Sequence, residues 1–332
     1  MDNQFAGKTI LIGIANYVGL PERFQENLEF LGFKVIVLKH DTSRVPIPLK
    51  DSIIHIYKKF ILNDKTHKQS TRNKIKETIQ LDFLERINEK IDYALFTRPD
   101  LFSIEVIKKV NQLSGKSIAY QWDGIDRYPT VKKYFNLFDK FFVFDINDTN
   151  KNPNLIFTTN FYFDDLISTK HSIEKKSVFF VGSAMKDRFK TLNDIALKLK
   201  QLHLIPNFFI YNYGKKKIDK NKNYNFSLLI EPLSFKSSII EIQKSDFLLD
   251  LHNPAHNGLS FRTFESLGYK KKLITNNSLV KDYDFYNPNN IFIFQGNDFS
   301  GIEDFMKSPY ELYNDNIYKK YSFTNWIDNI LK

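Results

Sequence analysis

Apolar runs of strand length alternate with segments of helical spacing through this 332-residue chain, and the alternation starts twice. No other feature constrains the fold as tightly, because strands that alternate with helices close into parallel sheets with helices packed on their faces. The first series reads as strands at 8–14 and 34–39 around a helix at 21–31. After a long polar excursion it continues with a helix ending near Lys90, strand 93–97, helix 104–113, and strands 117–122, 140–144 and 155–158. Segment 164–176 is polar, lacks periodicity and suits a linker. The second series opens at strand 177–181, and the helix after it carries Leu192, Ile195, Leu199 and Leu202. Strand 207–211, helix 234–243 and strands 247–251, 273–275 and 291–294 follow, before terminal helices. The length exceeds what one core organises, so two doubly wound α/β domains are expected.

The richest stretch is 246–277, read as strand, polar loop, short helix and strand. In open parallel sheets, ligands collect where such a loop leaves the carboxyl end of a strand. Asn257, Gly258 and Ser260 stand where the helix begins, so backbone N–H groups and the positive end of the helix dipole would face a phosphate. Arg262 and Glu265 follow three residues apart on one face, while Phe261, Phe264 and Leu267 hold the other face against the sheet. An exposed ion pair, which contributes little, is the competing reading of Arg262 and Glu265; their place beside the turn favours function. His252 and His256, four apart, would suit a metal pair on a helix, but Pro254 lies between them and no third ligand stands nearby. Polar substrate contacts or turn roles are expected of both.

The run Ser260-Phe261-Arg262-Thr263-Phe264-Glu265-Ser266-Leu267-Gly268, with Lys272-Leu273-Ile274-Thr275-Asn276, resembles the donor-binding segment of GT-B glycosyltransferases. The likeness is nearest to the bacterial enzymes that build lipopolysaccharide cores and capsules. Tyr120-Gln121-Trp122-Asp123-Gly124-Ile125-Asp126-Arg127-Tyr128-Pro129 and Phe138-Asp139-Lys140 through Phe144-Asp145 extend it from about residue 90 onward. The resemblance implies two tandem Rossmann-like lobes facing a cleft. Residues 1–165 would bind the acceptor, 166–305 the nucleotide-sugar, and the helices of 306–332 would cross back to the first lobe. Many retaining members carry two glutamates eight residues apart here, and the residue eight after Glu265 is Leu273, which leaves the anomeric outcome open.

The resemblance also implies roles for single residues. Glu265 would accept hydrogen bonds from ribose hydroxyls, and Arg262 would fork onto the diphosphate. After strand 177–181, Gly182 would let backbone approach the diphosphate, with Lys186 or Arg188 neutralising the leaving nucleotide; a simple tight turn is an equal alternative. An inverting reaction needs a base for the acceptor hydroxyl. Asp123, emerging with Trp122 from strand 117–122 on the acceptor side, is the first choice. Asp126 and Asp100 are alternatives, although Asp126 could simply cap the next turn with Arg127, and capping the helix from Ile104 explains Asp100 nearly as well. Asp145 and Asp148 read as turn residues. Asn16, Tyr17 and Gly19 form a rim loop that touches substrate or merely joins strand to helix.

Composition narrows the remaining classes. The chain has no cysteine, which excludes disulfides and thiolate metal sites. The N-terminus reads as a strand rather than a signal peptide, and no apolar stretch approaches the ~20 residues needed to span a bilayer. A cytoplasmic enzyme is expected, acting on a glycan or glycolipid acceptor and in peripheral contact with an anionic inner membrane surface. The net charge of +10 selects for anionic partners in general. The run from Lys215 to Lys222 reads as a solvated loop, and helix 67–86, with Ile75, Ile79, Phe83 and Ile87, as core-facing in preference to resting on a membrane surface. The alternatives are a two-lobe sugar-nucleotide epimerase and a basic nucleic-acid-binding protein, the second lacking the Gly- and aromatic-rich strand of RNA-binding domains. The Asp282-Tyr283-Asp284 pair falls late in the second lobe, so no metal and no cofactor beyond the sugar donor is expected.

Overall fold

The computed structural model describes residues 5–41, 45–64, 66–165, 176–184, 186–211, 224–252 and 257–332. They form two compact units, Met1–Thr158 with Leu331 and Thr159–Ile330 with Lys332. The basic run at 215–222 and most of the linker at 164–176 lie outside the described residues.

The first unit is a parallel sheet of β1 (Thr9–Asn16), β2 (Lys34–Asp41), β3 (Ile91–Thr97), β4 (Ser114–Gln121), β5 (Lys140–Val143) and β6 (Leu155–Phe157), in the order β2-β1-β3-β4-β5-β6. Its helices are α1 (Leu20–Phe30), α2 (Leu49–Ile61), α3 (His67–Glu85), α4 (Ile104–Leu113) and α5 (Ile146–Lys151). Central strands covered on both faces need unbroken apolar runs. Ile10, Leu11 and Ile12 of β1 and Ala94, Leu95 and Phe96 of β3 are accordingly buried. A side chain at Gly13 would overlap the Phe96 ring, so glycine there is what admits the aromatic from the neighbouring strand.

Two helices depart from the expected pattern. α2 lies inside the stretch read as a polar excursion. In α3, Ile79 and Phe83 are exposed, and the core is filled instead by Leu84, with Leu81 and Ile87 beside it. Apolar residues occur around much of this helix, and the set nearest α4 takes the interior.

His40, in β2, packs edge-on against Phe102 with ring centroids 5.5 Å apart, and burial, with help from Lys76, pulls its pKa down to about 4. The unfolded imidazole takes up a proton near 6.5 that the folded one refuses. Stability is therefore complete above about 6.5 and lost as pH falls toward 4. The urea midpoint is expected to drop more between pH 7 and pH 5 in the wild type than in His40→Leu. Equal drops would mean that the imidazole charges freely in the folded chain.

The second unit repeats the plan with β7 (Ser177–Ser183), β8 (Ile205–Tyr211), β9 (Ser227–Leu229), β10 (Phe247–Asp250), β11 (Lys272–Thr275) and β12 (Ile291–Ile293), ordered β12-β11-β10-β7-β8-β9 and parallel. Alternate residues of β7 serve opposite faces. Val178 and Phe180 join α6 (Lys186–Gln201) and α9 (Ile302–Lys307) in one core. Phe179 joins α7 (Phe235–Lys244) and α8 (Phe261–Gly268) in the other. Of the last helices, α10 (Asp315–Lys320) and α11 (Phe323–Leu331), the second packs Trp326 onto Phe161, ring centroids 4.4 Å apart. Asp284, of the Asp-x-Asp pair, bonds Lys320 Nζ at 2.5 Å and the Tyr321 hydroxyl at 2.6 Å. Its carboxylate thus ties down the end of α10.

Candidate functional site

In the second sheet the chain runs from β7 out through β8 and β9, then returns on the other side of β7 as β10. Neighbours β7 and β10 are therefore where the strand order reverses, and ligand crevices of such sheets open outside the carboxyl ends at that point. Both donor-side loops read from the sequence leave these two strands. Gly182 pairs with Ile210 inside β7, one residue before its end. Lys186 and Arg188 open α6, but their side chains lie outside the described residues. His252 follows β10 closely, and its backbone N–H donates to Asn276 Oδ1 at 2.7 Å. His256 lies outside the described residues.

The loop into α8 is held by buried polar side chains. Asn160 Nδ2 donates to the Leu259 carbonyl at 2.8 Å and Asn277 Nδ2 to the Gly258 carbonyl at 3.4 Å. Asn257 just before them is exposed. Ser260 occupies the N-cap position without a side-chain cap, and its hydroxyl donates to Asp250 Oδ1 at 2.8 Å. Thr275 Oγ1 reaches the other Asp250 oxygen at 3.3 Å. The first turn of α8 consequently has no side-chain cap from Ser260, and the positive end of its dipole stands at the switch point.

Arg262 and Glu265 come together as the spacing predicted, but buried rather than exposed. Their side chains are 13% and 5% accessible, with Nη1 of Arg262 2.8 Å from Oε2 of Glu265. The Arg262 guanidinium also lies over the Phe179 ring of β7, 4.9 Å from its centroid. The contact is a close buried ion pair, and Nη1 makes no well-aligned hydrogen bond among the described residues. Burial pushes the Glu265 carboxyl up; Arg262 opposes that shift, and Asp250 adds to it.

The first sheet has its own reversal between β1 and β3, and the backbone there is unusual. Val18 and Arg98, following β1 and β3, have φ of 53° and 57°, and Gly19 has 75°. A β-branched residue in the left-handed region is strained, and such strain gathers at functional sites. Asn16 ends β1, Tyr17 is exposed, and Gly19 precedes α1 as its N-cap.

Arg98 organises the acidic candidates. Its Nε and Nη2 donate to Asp100 at 2.8 Å each, its Nη1 donates to Asp123 Oδ2 at 2.5 Å, and its guanidinium lies 3.7 Å from the Tyr128 ring centroid. Arg127 Nη1 takes the other Asp123 oxygen at 2.9 Å. Asp100 and Asp123 thus meet in one cluster, and the α4 cap is supplied by Ser103, whose hydroxyl accepts from Val106 N–H at 3.2 Å. Asp126 stands apart on the surface, paired with Lys151 at 2.6 Å. Trp122 packs edge-on to Tyr120. Asp145 caps α5 through Asn147 N–H. Asp148 is buried and accepts from Ile125 N–H, and burial pushes its carboxyl up.

Three residues carry more than sequence reasoning gave them. Arg98 and Asp250 are the hubs of their clusters. Gln121 is fully buried at the end of β4 with neither amide atom hydrogen-bonded among the described residues. A signal for Arg98 existed, since the proline after it removes the right-handed helical conformation. A charged residue closing the apolar run Phe247–Leu249 marked Asp250 in the same way.

No protein-family model and no curated protein matches this chain. Among solved structures it aligns with a glycosyltransferase from Rickettsia africae at TM-score 0.51 and 12% identity, over 97% of this chain and 96% of that one. It aligns with apo OtsA at 0.50 and 10%, over 83% and 86%. It spans about half, 52%, of a matched chain from accessory secretory protein 1, 2 and 3 of Streptococcus pneumoniae, at TM-score 0.44 and 8% identity. Two six-stranded parallel sheets, each reversing its order beside its first strand, give this chain the GT-B fold of two tandem Rossmann-like units.

Proposed function

We propose that the chain is a glycosyltransferase that moves a sugar from a nucleotide-sugar to a hydroxyl of a bacterial cell-surface glycan, of lipopolysaccharide, lipooligosaccharide or capsule type. The observation that carries this reading is the Arg262 guanidinium, buried at the β7/β10 switch point beside the uncapped start of α8 and ion-paired, among the described residues, with Glu265 alone. A guanidinium carries five N–H donors, more than one carboxylate occupies, and can fork onto a second anion. A diphosphate supplies oxygens for both the guanidinium fork and the backbone N–H groups. Glu265 pairs with Arg262 and holds the fork toward the crevice, and the donor ribose contacts the same helix.

In this reading the first unit presents the acceptor through Asn16, Tyr17, Gly19 and Trp122. Asp123 takes the hydroxyl proton. Each of its oxygens accepts one bond from a guanidinium, which fixes the carboxylate and leaves a lone pair on each for a substrate proton. The charge developing on the departing diphosphate is met by Arg262 and by the first N–H groups of α8, without any requirement for a metal.

The test is thermal stabilisation of the purified protein by a panel of nucleoside diphosphates and nucleotide-sugars. A ligand at a hundredfold its Kd should add roughly 2.7 kcal/mol. One nucleotide is expected to stabilise the wild type and not Arg262→Ala, and addition of glycan acceptors should then turn over the matching sugar donor. Release of free nucleotide without any acceptor would replace transfer with epimerisation. Absence of a shift with every nucleotide would overturn the donor site.

A further inference from the structure

α2 is amphipathic with its sides reversed. Leu49, Ile53, Ile56 and Phe60 recur at intervals of four, three and four, which aligns them in one stripe along the helix, with Tyr57 at its edge. All five are exposed, Leu49 at 85% and Phe60 at 73%, and the helix buries no residue fully. The half-buried positions, by contrast, are mainly polar: Asp51, Ser52, His55 and Lys58, with Ile54 among them. His55 stacks on His67 of α3 with ring centroids 6.3 Å apart, so the polar side is the one held by the protein. An outward stripe of this kind is the sort of contiguous apolar surface that marks an interaction site.

Charge decides what covers it. Lys50 and Lys59 are exposed and flank the stripe on opposite sides, and Lys59 Nζ lies 5.3 Å from the Phe60 ring. Lysines bordering an apolar stripe can run their stems along it and keep their ammonium groups at its rim. A second copy of this chain would set lysine rims against lysine rims on a protein of net charge +10. A surface that is apolar within and anionic at its boundary matches both features.

We infer that α2 is a membrane-docking helix that lies in the interface of an anionic lipid bilayer, with Leu49, Ile53, Ile56 and Phe60 among the acyl chains and Lys50 and Lys59 on the phosphates. The contact stands independently of the proposed chemistry, since none of its residues belongs to either candidate site. It gives the first unit a fixed address on the surface where anionic lipid is found.

The test is co-sedimentation of the full chain with vesicles of phosphatidylcholine alone and of phosphatidylcholine with phosphatidylglycerol. Binding is expected only to the second kind, and weaker in high salt. Lys50→Gln with Lys59→Gln should lower the partition about twenty-five-fold, at about fivefold per lysine. Ile53→Ser with Phe60→Ser should abolish it while the melting temperature stays that of the wild type, because both side chains are already in water. No binding to anionic vesicles, or binding that neither pair weakens, would overturn the assignment. So would a dimer in sedimentation velocity that Ile53→Ser with Phe60→Ser dissolves, which would give the stripe to a second copy.

Discussion

Arg98→Met is expected to cost the first unit about 3–5 kcal/mol, the range found when one partner is removed from a buried ion pair. Arg98 is 9% exposed and the Asp100 and Asp123 carboxylates 6% and 15%, so water cannot replace the guanidinium at either. Asp123 keeps Arg127, whereas no second cation pairs with Asp100 among the described residues. Most of the loss should therefore belong to Asp100, and Asp100→Leu added to Arg98→Met should recover much of it. Arg98→Lys would keep a charge but lose the fork onto Asp100 and the stacking on Tyr128, and should fall between. Urea denaturation of the four proteins, read as a double-mutant cycle with the lysine variant beside it, measures this. A single variant as stable as the wild type would show that the three groups do not depend on one another. The functional readout is separate: if Arg98 positions Asp123, Arg98→Lys should lower kcat while leaving nucleotide stabilisation of the second unit unchanged.

The two parallel sheets could be read from the sequence because their strands are buried on both faces, and a strand such as Phe247–Leu249 then has no polar residue to blur it. The loops after β7 and β10 could be placed at carboxyl ends of strands for the same reason, whereas the reversal of strand order that makes these two strands neighbours is visible only in the folded sheet. What stayed hidden depended on side chains meeting across the sheet. Asp100 and Asp123 are 23 residues apart, and only the pairing of β3 with β4 brings them to one guanidinium. Arg262 and Glu265 were paired correctly by helical spacing, yet spacing says nothing of depth, and their burial comes from α8 being set against β10 and β11. Leu49, Ile53, Ile56 and Phe60 keep helical spacing, but α2 was missed because its charged residues were grouped with the polar stretch around it.

Gly268→Ala should destabilise the second unit by about 3 kcal/mol, although alanine favours a helix by up to about 1 kcal/mol. The added methyl would overlap ring carbons Cγ and Cδ2 of Tyr162. That ring has nowhere to go. Its backbone N–H donates to the Tyr321 carbonyl at 3.1 Å, its carbonyl accepts from Phe323 N–H at 2.8 Å, and its hydroxyl donates to the Tyr318 carbonyl at 3.1 Å. The edge-on Tyr269 ring lies 6.0 Å away. Relief requires α8 to back away from the segment before it, and α8 carries Arg262 and Glu265. The melting temperature should fall by roughly 6–12 °C, at about 2–4 °C per kcal/mol for a domain of this size. Nucleotide stabilisation should weaken with it, because the guanidinium shifts along with the helix. Tyr162→Leu alone loses the ring and its hydroxyl bond, but in its presence Gly268→Ala should cost little more, since the obstructing carbons are gone. A Gly268→Ala protein that melts with the wild type would mean that Tyr162 yields without cost, and the close approach of α8 would then have no part in holding the site.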